Sequence, residues 1–427
     1  MTTDPLSLLQ KRYDAIRDKI AFDYKGGYRL EKMTEPFLSP LIFRHMSKRR
    51  QWLLALMKFT FIRRIGDMPE IDTGVFFSFP EWTNRRDYVE ISDYVRSQVP
   101  GAFFFRLSAL RRKLVFNPRH LRRAIRQCRD LPQLDFSGRL YMTAAVYNSL
   151  NMIDEAERRL KLTVKKYVPF SCVKGIEHLL TQYFRKKGIP VYNLQHGVTF
   201  LYRKNVQDAL EYTNMIADYH LTWGEYSRNE LINYGLDGRR ILVAGYPRKQ
   251  KEIPVCKPGS FHCVVFLSRK PFDGANLSLL SILRSFQQNG PLKIQFHLKL
   301  HPSLHAADYR KWIHDNCNDG SIGLLQENMT LQEILGSMPV GFCVVANSSA
   351  YYECYMHGLV ALRYHSDDFD EEYAVADDLF ATKEEFARLV QALYESFEEH
   401  FPAEGIRRGL QYVMGLPGNE YGRILNV

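Results

Sequence analysis

From about residue 238 onward the chain repeats one pattern: short runs dense in Val, Ile, Leu and Phe, separated by stretches with helical spacing. The runs fall at 241–244, 263–267, 294–300, 341–346 and 360–363, and the helical patterns at 277–288, 306–317, 331–336 and 350–357. A strand that is apolar on both faces has to be covered on both faces, which alternating helices do around a parallel sheet. The front half carries a sparser version. Strands are expected at 75–79, 102–105 and 189–194, with a helix over 177–187 before the last, so a parallel βαβ unit is expected there too. Residues 140–146 fit either period. The expectation is an α/β chain of two parallel units facing a central cleft. It divides into a basic helical extension (1–70), a first parallel α/β domain (71–235), a second (236–380) and C-terminal helices (381–427).

A chain of 427 residues suits about two domains. Its 45% hydrophobic and 25% charged residues exclude global disorder. The formal charge of +11 favours a polyanionic partner: a nucleotide, an anionic lipid surface or an acidic glycan. Nucleic acid is not expected, because the Arg and Lys clusters lack an interleaved aromatic platform. Seven cysteines lie far apart with no C-x-x-C pair, which favours free thiols in a reducing compartment. The N-terminus has no apolar signal core, and the longest apolar stretch, 52–62, is short for a span and broken by Lys58. A cytoplasmic chain is expected. Arg44, His45, Lys48, Arg49 and Arg50 precede Trp52-Leu53-Leu54-Ala55-Leu56-Met57, and Arg63-Arg64 follow. Such a helix either packs its apolar side on the domain or lies on the anionic inner face of a plasma membrane.

Three short motifs follow apolar strands: Gln195-His196-Gly197, His301-Pro302 and Asn347-Ser348-Ser349, with Gly245-Tyr246-Pro247-Arg248 between the first two. A strand, a polar loop and a helix in that order build an anion site. Arg248 can fork onto a phosphate, and Lys299 two residues before His301 suits a leaving group that gains charge. Ser348 and Ser349 fit helix caps or phosphate contacts equally. Glu353 on the following helix can reach ribose hydroxyls. His196, followed by Arg203 and Lys204, is a candidate base, with Glu177 or Glu81 as carboxylate alternatives. Asp368-Phe369-Asp370 imitates a metal-binding Asp-x-Asp but lies in an acidic run and reads as a solvated loop; no metal or cofactor is expected.

The ordered set of Gln-His-Gly, Asp218-Tyr219-His220-Leu221-Thr222, Gly-Tyr-Pro-Arg, Lys-x-His-Pro and Ser-Ser before a Glu-bearing helix resembles bacterial GT-B transferases of surface polymers. The resemblance covers roughly residues 165 to 365. It is to the group holding capsule sialyl- and Kdo-transferases and the CDP-glycerol glycerophosphotransferases. It implies two Rossmann-like domains and a metal-independent, inverting transfer of a sugar, from a CMP-sugar first of all, to a glycan or lipid-linked acceptor in capsule or lipopolysaccharide synthesis. By the same resemblance His301, Pro302, Ser348 and Ser349 hold the donor nucleotide and His196 acts as base. Ala346-Asn347 stands where the glycerophosphotransferases carry Asp-Tyr, and Leu267-Ser268-Arg269-Lys270 only loosely matches the strand end expected there. Three alternatives stay open: a CDP-glycerol- or ribitol-type polyol-phosphate transferase, a sugar-nucleotide epimerase, and a non-catalytic membrane-docked scaffold.

Overall fold

A computed structural model describes residues 5–43, 46–199, 212–248, 253–290, 292–317, 319–327, 329–415 and 419–426. The expectations placed on Arg44, His45, Arg203 and Lys204 lie outside the described residues.

The first half is built on strands β1 (Ile71–Phe79), β2 (Phe103–Arg106), β3 (Leu162–Pro169), β4 (Tyr192–Leu194), β5 (Tyr219–Thr222) and β6 (Ile241–Val243). They form two three-stranded parallel sheets, β2-β1-β3 and β4-β5-β6. A single bridge between Tyr167 and Val191 joins the two. The second half is one six-stranded parallel sheet of β7 (His262–Phe266), β8 (Gln295–Lys299), β9 (Ile322–Leu324), β10 (Phe342–Val345), β11 (Ala361–Tyr364) and β12 (Leu379–Phe380). Its order is β9-β8-β7-β10-β11-β12, the doubly wound nucleotide-binding order. Phe342–Val345 and Ala361–Tyr364 are buried at every position, as strands sandwiched between helix layers must be. The architecture is thus α/β with two parallel units facing a cleft, the GT-B arrangement.

Two of the expected boundaries need correction. Ile241–Val243 pairs in register with His220–Thr222, so it closes the first sheet instead of opening the second domain. The first 70 residues are not a separate extension. Tyr13, Ile16 and Tyr28 are fully buried and share one core with Tyr147, Leu150 and Phe184, since helices with a broad apolar face have to bury it. Residues 140–146 resolve as helix, inside Phe136–Arg159, where Asp135 caps the first turn by accepting from Gly138 N at 2.8 Å.

The C-terminal helices Ala403–Met414 and Tyr421–Leu425 cross back onto the first half. Tyr421 Oη donates to Gly245 O at 2.9 Å, and Lys166 Nζ to Ile424 O at 3.1 Å. The crossing needs bare backbone: a Cβ on Gly224 would lie 2.4 Å from Tyr412 O, and one on Gly415 2.2 Å from Trp223 O. Among the described residues no helix is long and apolar enough to cross a membrane.

Candidate active site

In an open doubly wound sheet the ligand sits beyond the carboxyl ends of the strands, where the strand order reverses. Here that point lies between β7 and β10, whose exits are Leu267-Ser268-Arg269 and Asn347-Ser348-Ser349. Asn347 adopts a left-handed conformation (φ 46°), which Asn tolerates better than most residues. Its Nδ2 donates to Asp370 O at 2.7 Å. This turn sets both serines facing a cleft of about 970 Å³. The cleft runs between the halves and opens into a side chamber of about 170 Å³.

Seven of the expected donor-side positions come together here: Arg248, Lys299, His301, Pro302, Ser348, Ser349 and Glu353 all line the main cleft. Lys299, at the end of β8, is half-buried, and among the described residues it has no carboxylate within ion-pairing distance. Burial lowers its pKa. An enclosed ammonium without a partner is costly unless an anion arrives to satisfy it. His301 Nδ1 accepts from Ser303 N at 3.1 Å. That places the ring proton on Nε2, and burial, followed by the charge of Arg85, pushes the pKa down to about 4. His301 is therefore a neutral hydrogen-bond donor near neutral pH. Arg248 lies 3.5 Å from Glu90 and 3.8 Å from Glu353. Burial raises the pKa of Glu353. The serines do not cap in the expected manner: Ser349, the N-cap residue, makes no side-chain cap bond, and Ser348 Oγ accepts from Ala350 N, the first helical amide, at 3.3 Å. The helix they begin, Ala350–Met356, has only seven residues, so cationic side chains matter more here than its dipole.

His196 lines the side chamber, packed against Tyr88, Phe170 and Trp82 with ring centroids 5.3, 5.1 and 6.4 Å away. Gln195 builds its turn. Gln195 Nε2 donates to Gly197 O at 2.7 Å and Ser227 Oγ at 2.9 Å, while its Oε1 accepts from Trp223 N at 2.7 Å. Burial, with Lys174 and Arg85 nearby, pushes the His196 pKa down to about 4. Among the described residues three enclosed polar atoms have no hydrogen-bond partner and line this one chamber: His196 Nδ1, Arg248 Nε and Ser268 Oγ. Buried polar atoms are rarely left unpaired, so their convergence makes the chamber a candidate ligand site.

Glu177 is not in the cleft. It is fully buried, with Oε1 accepting from Ser78 Oγ at 2.6 Å and Phe170 N at 2.8 Å, and Oε2 from Ser171 N at 2.9 Å. Desolvation raises its pKa to about 8. Its oxygens are spent on tying β1 to β3, so the expectation of Glu177 as a catalytic base is corrected to a structural carboxyl. Glu81 lines a different cavity and not the cleft.

The sequence reading missed the opposite wall. Arg85, Arg86, Asp87 and Glu90, at the start of the helix Arg86–Ser97 after β1, face the donor-side residues across the cleft. Arg85 forks onto Asp87 at 3.1 and 2.5 Å, and Arg86 reaches across to Glu333 at 2.6 Å. Strand, polar loop and helix again marked the place, the same signature used for the other motifs.

Family-model and curated-protein searches return no match for this sequence. Solved structures with a similar chain course include an apo lipopolysaccharide outer core galactosyltransferase, WaaB (11% identity, TM-score 0.49, covering 82% of this chain and 96% of that one). HepE of Anabaena in complex with UDP-glucose is another (12%, TM-score 0.48, 83% and 98%). A third is the UDP-GlcNAc 2-epimerase of Neisseria meningitidis bound to UDP-GlcNAc (13%, TM-score 0.43, 82% and 98%). At such identities and scores the likeness is confined to the course of the chain. The chemistry of the cleft has to follow from its own side chains.

Proposed function

We propose that this protein is a glycosyltransferase of bacterial surface-polysaccharide synthesis that binds a nucleotide-activated sugar, a CMP-sugar first of all, against the second half. The convergence of unpaired Lys299 with the orphaned polar atoms of Arg248, Ser268 and His196 on connected chambers carries this reading. The nucleotide phosphate lies against Lys299 and His301 Nε2–H, with the Ser348 and Ser349 hydroxyls completing its shell. These donors stabilise the charge that grows on the leaving phosphate. Glu353, held by Tyr246 Oη at 3.4 Å, accepts from ribose hydroxyls. The acceptor hydroxyl enters the side chamber and attacks the anomeric carbon from the face opposite the phosphate, so transfer inverts. His196 Nδ1 takes its proton. The imidazole is held neutral by burial, and the negative charge of a bound donor favours the protonated ring, which strengthens the base when it is needed.

The testing experiment is a thermal-shift panel of CMP, CDP, UDP, GDP and ADP on wild type and His301→Ala. A ligand at about a hundred times its Kd adds roughly 2.7 kcal/mol. A CMP shift lost in His301→Ala is expected. A CDP preference instead favours polyol-phosphate transfer, in which the same histidines act at phosphorus. The absence of a shift with every nucleotide overturns the transferase reading in favour of a scaffold.

A further inference from the structure

Trp82 touches more than the candidate active site. Besides approaching His196, it lines a separate cavity of about 370 Å³ in the first half, within the roughly 300–1,000 Å³ range of small-molecule sites. None of the donor-side residues borders this cavity. Its wall is largely apolar, formed by Met33, Phe37, Leu54, Met57, Met152 and Leu179 among others. Into this wall are set four cations, Lys58, Arg63, Arg112 and Lys174, and one carboxylate, Glu81.

Three of the four cations have no ion pair within the described residues. Among the described residues Lys58, Arg63 and Arg112 have no carboxylate within 4 Å; their neighbours Arg64, Arg111 and Lys113 pair with Asp67 and Glu155 instead. Lys58 Nζ sits 3.6 Å from the centre of the Phe37 ring, and burial pulls its pKa down to about 8. The one carboxylate is near enough to feel the charges of Lys58 and Arg63, but among the described residues it forms no ion pair. Glu81 Oε1 accepts from Ile176 N at 3.2 Å, in a turn where a Cβ on Gly175 (φ 69°) would lie 2.6 Å from that oxygen. Glu81 Oε2 is enclosed with no hydrogen-bond partner among the described residues, and burial raises the pKa of the group. In its protonated form it is a donor to whatever enters. The helix Lys48–Thr60, which supplies Leu54, Met57 and Lys58 to the wall, exposes Trp52, Leu53 and Leu56 on its other side.

A cavity of this kind matches a molecule that is apolar along its body and negative at its head. We propose that it binds a single-chain anionic amphiphile, an alkyl chain bearing a phosphate or carboxylate, with the chain along Leu54, Met57 and Met152 and the head at Lys58, Arg63 and Glu81. The site stands apart from the nucleotide cleft and does not depend on what the cleft binds. It accounts for the three cations without ion-pair partners and for the orphaned Glu81 oxygen together.

The test is titration of the intact wild-type chain with alkyl phosphates of increasing length, below their micelle concentrations, by calorimetry and by fluorescence of Trp82. Affinity is expected to rise about fourfold per methylene until the cavity fills. Decyl phosphate and decanoate should both bind at least tenfold tighter than decanol, the tighter of the two naming the head group. Lys58→Met should bring decyl phosphate close to decanol and leave decanol within twofold. Leu54→Trp, which fills the cavity, should abolish alkyl binding while nucleotide shifts in the cleft persist. Affinity independent of chain length, or inorganic phosphate binding as tightly as decyl phosphate, would leave a plain anion site and overturn the proposal. Decanol binding as tightly as decyl phosphate would leave a plain apolar cavity and overturn it equally. Alkyl phosphate binding without any nucleotide shift would retain this site and reject the cleft reading, so the two fail separately.

Discussion

The two halves use the same parallel α/β logic to different ends. The second half is one unbroken sheet in doubly wound order, and its cleft residues Lys299, His301, Pro302, Ser348 and Ser349 come from strand exits or the turns that follow them. The first half is split into two three-stranded pieces held by one bridge. It is thickened by the N-terminal helices and by Phe136–Arg159. In the proposed reading a phosphate, the same in every nucleotide, is met by generic strand ends of the second half, and a particular acceptor by the first half, which carries the aromatic cage around His196 and the second cavity. The comparison suggests a division of labour: binding of the donor in one half, activation of the acceptor in the other.

Four experiments test that division. The largest effect is expected for His196→Ala, which should lower turnover roughly 10²- to 10⁴-fold while nucleotide affinity stays within twofold. Loss of the nucleotide shift in this variant would break the comparison. Next comes Lys299→Ala, which removes the one cation of the main cleft without an ion-pair partner among the described residues. Titration calorimetry should record a loss of about 10- to 100-fold in nucleotide affinity, the scale of a hydrogen bond to a charged group. Glu177→Gln should do neither. It leaves one of three buried donors poorly matched, so urea unfolding should report about 1–3 kcal/mol of lost stability with nucleotide affinity unchanged. Smaller again is Arg86→Ala, which cuts the bridge to Glu333 between the halves. Both side chains are solvent-exposed, and exposed pairs contribute little, so nucleotide affinity should change by less than about threefold, with a salt dependence weaker than that of wild type.

A pH series probes the first half by itself. His178 is held neutral inside the first half, donating from Nδ1 to Cys172 O at 2.7 Å and accepting at Nε2 from Gln182 at 2.9 Å. Burial lowers its pKa to about 4, below the value of about 6.5 in an unfolded chain. Between those values the unfolded state binds more protons. The contribution is therefore complete above about pH 6.5 and is lost as pH falls toward about 4. His178→Gln, which can keep both hydrogen bonds, should flatten that limb of the stability curve.

Much of the second half was legible because its signal is local. Runs such as 263–267 and 341–346 fall within a residue or so of β7 and β10, and the polar residues that end them sit where strands must deliver them. Residues 140–146 were ambiguous because a helix buried over most of its length, as Phe136–Arg159 is, has no polar face to reveal its period. Glu177 illustrates the opposite failure. Its place near a strand-to-helix turn read as catalytic, whereas its oxygens are occupied by the amides of Phe170 and Ser171 and by the Ser78 hydroxyl, 99 residues away.

By itself the sequence determined that parallel sheets would form, where the strands of the second half would end, and which side chains would stand at those ends. These follow from apolar runs and turn chemistry within a few residues. Tertiary structure alone decided which sheet Ile241–Val243 would join, that Arg85, Arg86, Asp87 and Glu90 would form the facing wall, and that Lys299 would have no carboxylate within ion-pairing distance among the described residues. Pairing register and charge balance depend on what lies across space from a residue, and the chain order does not carry that distance.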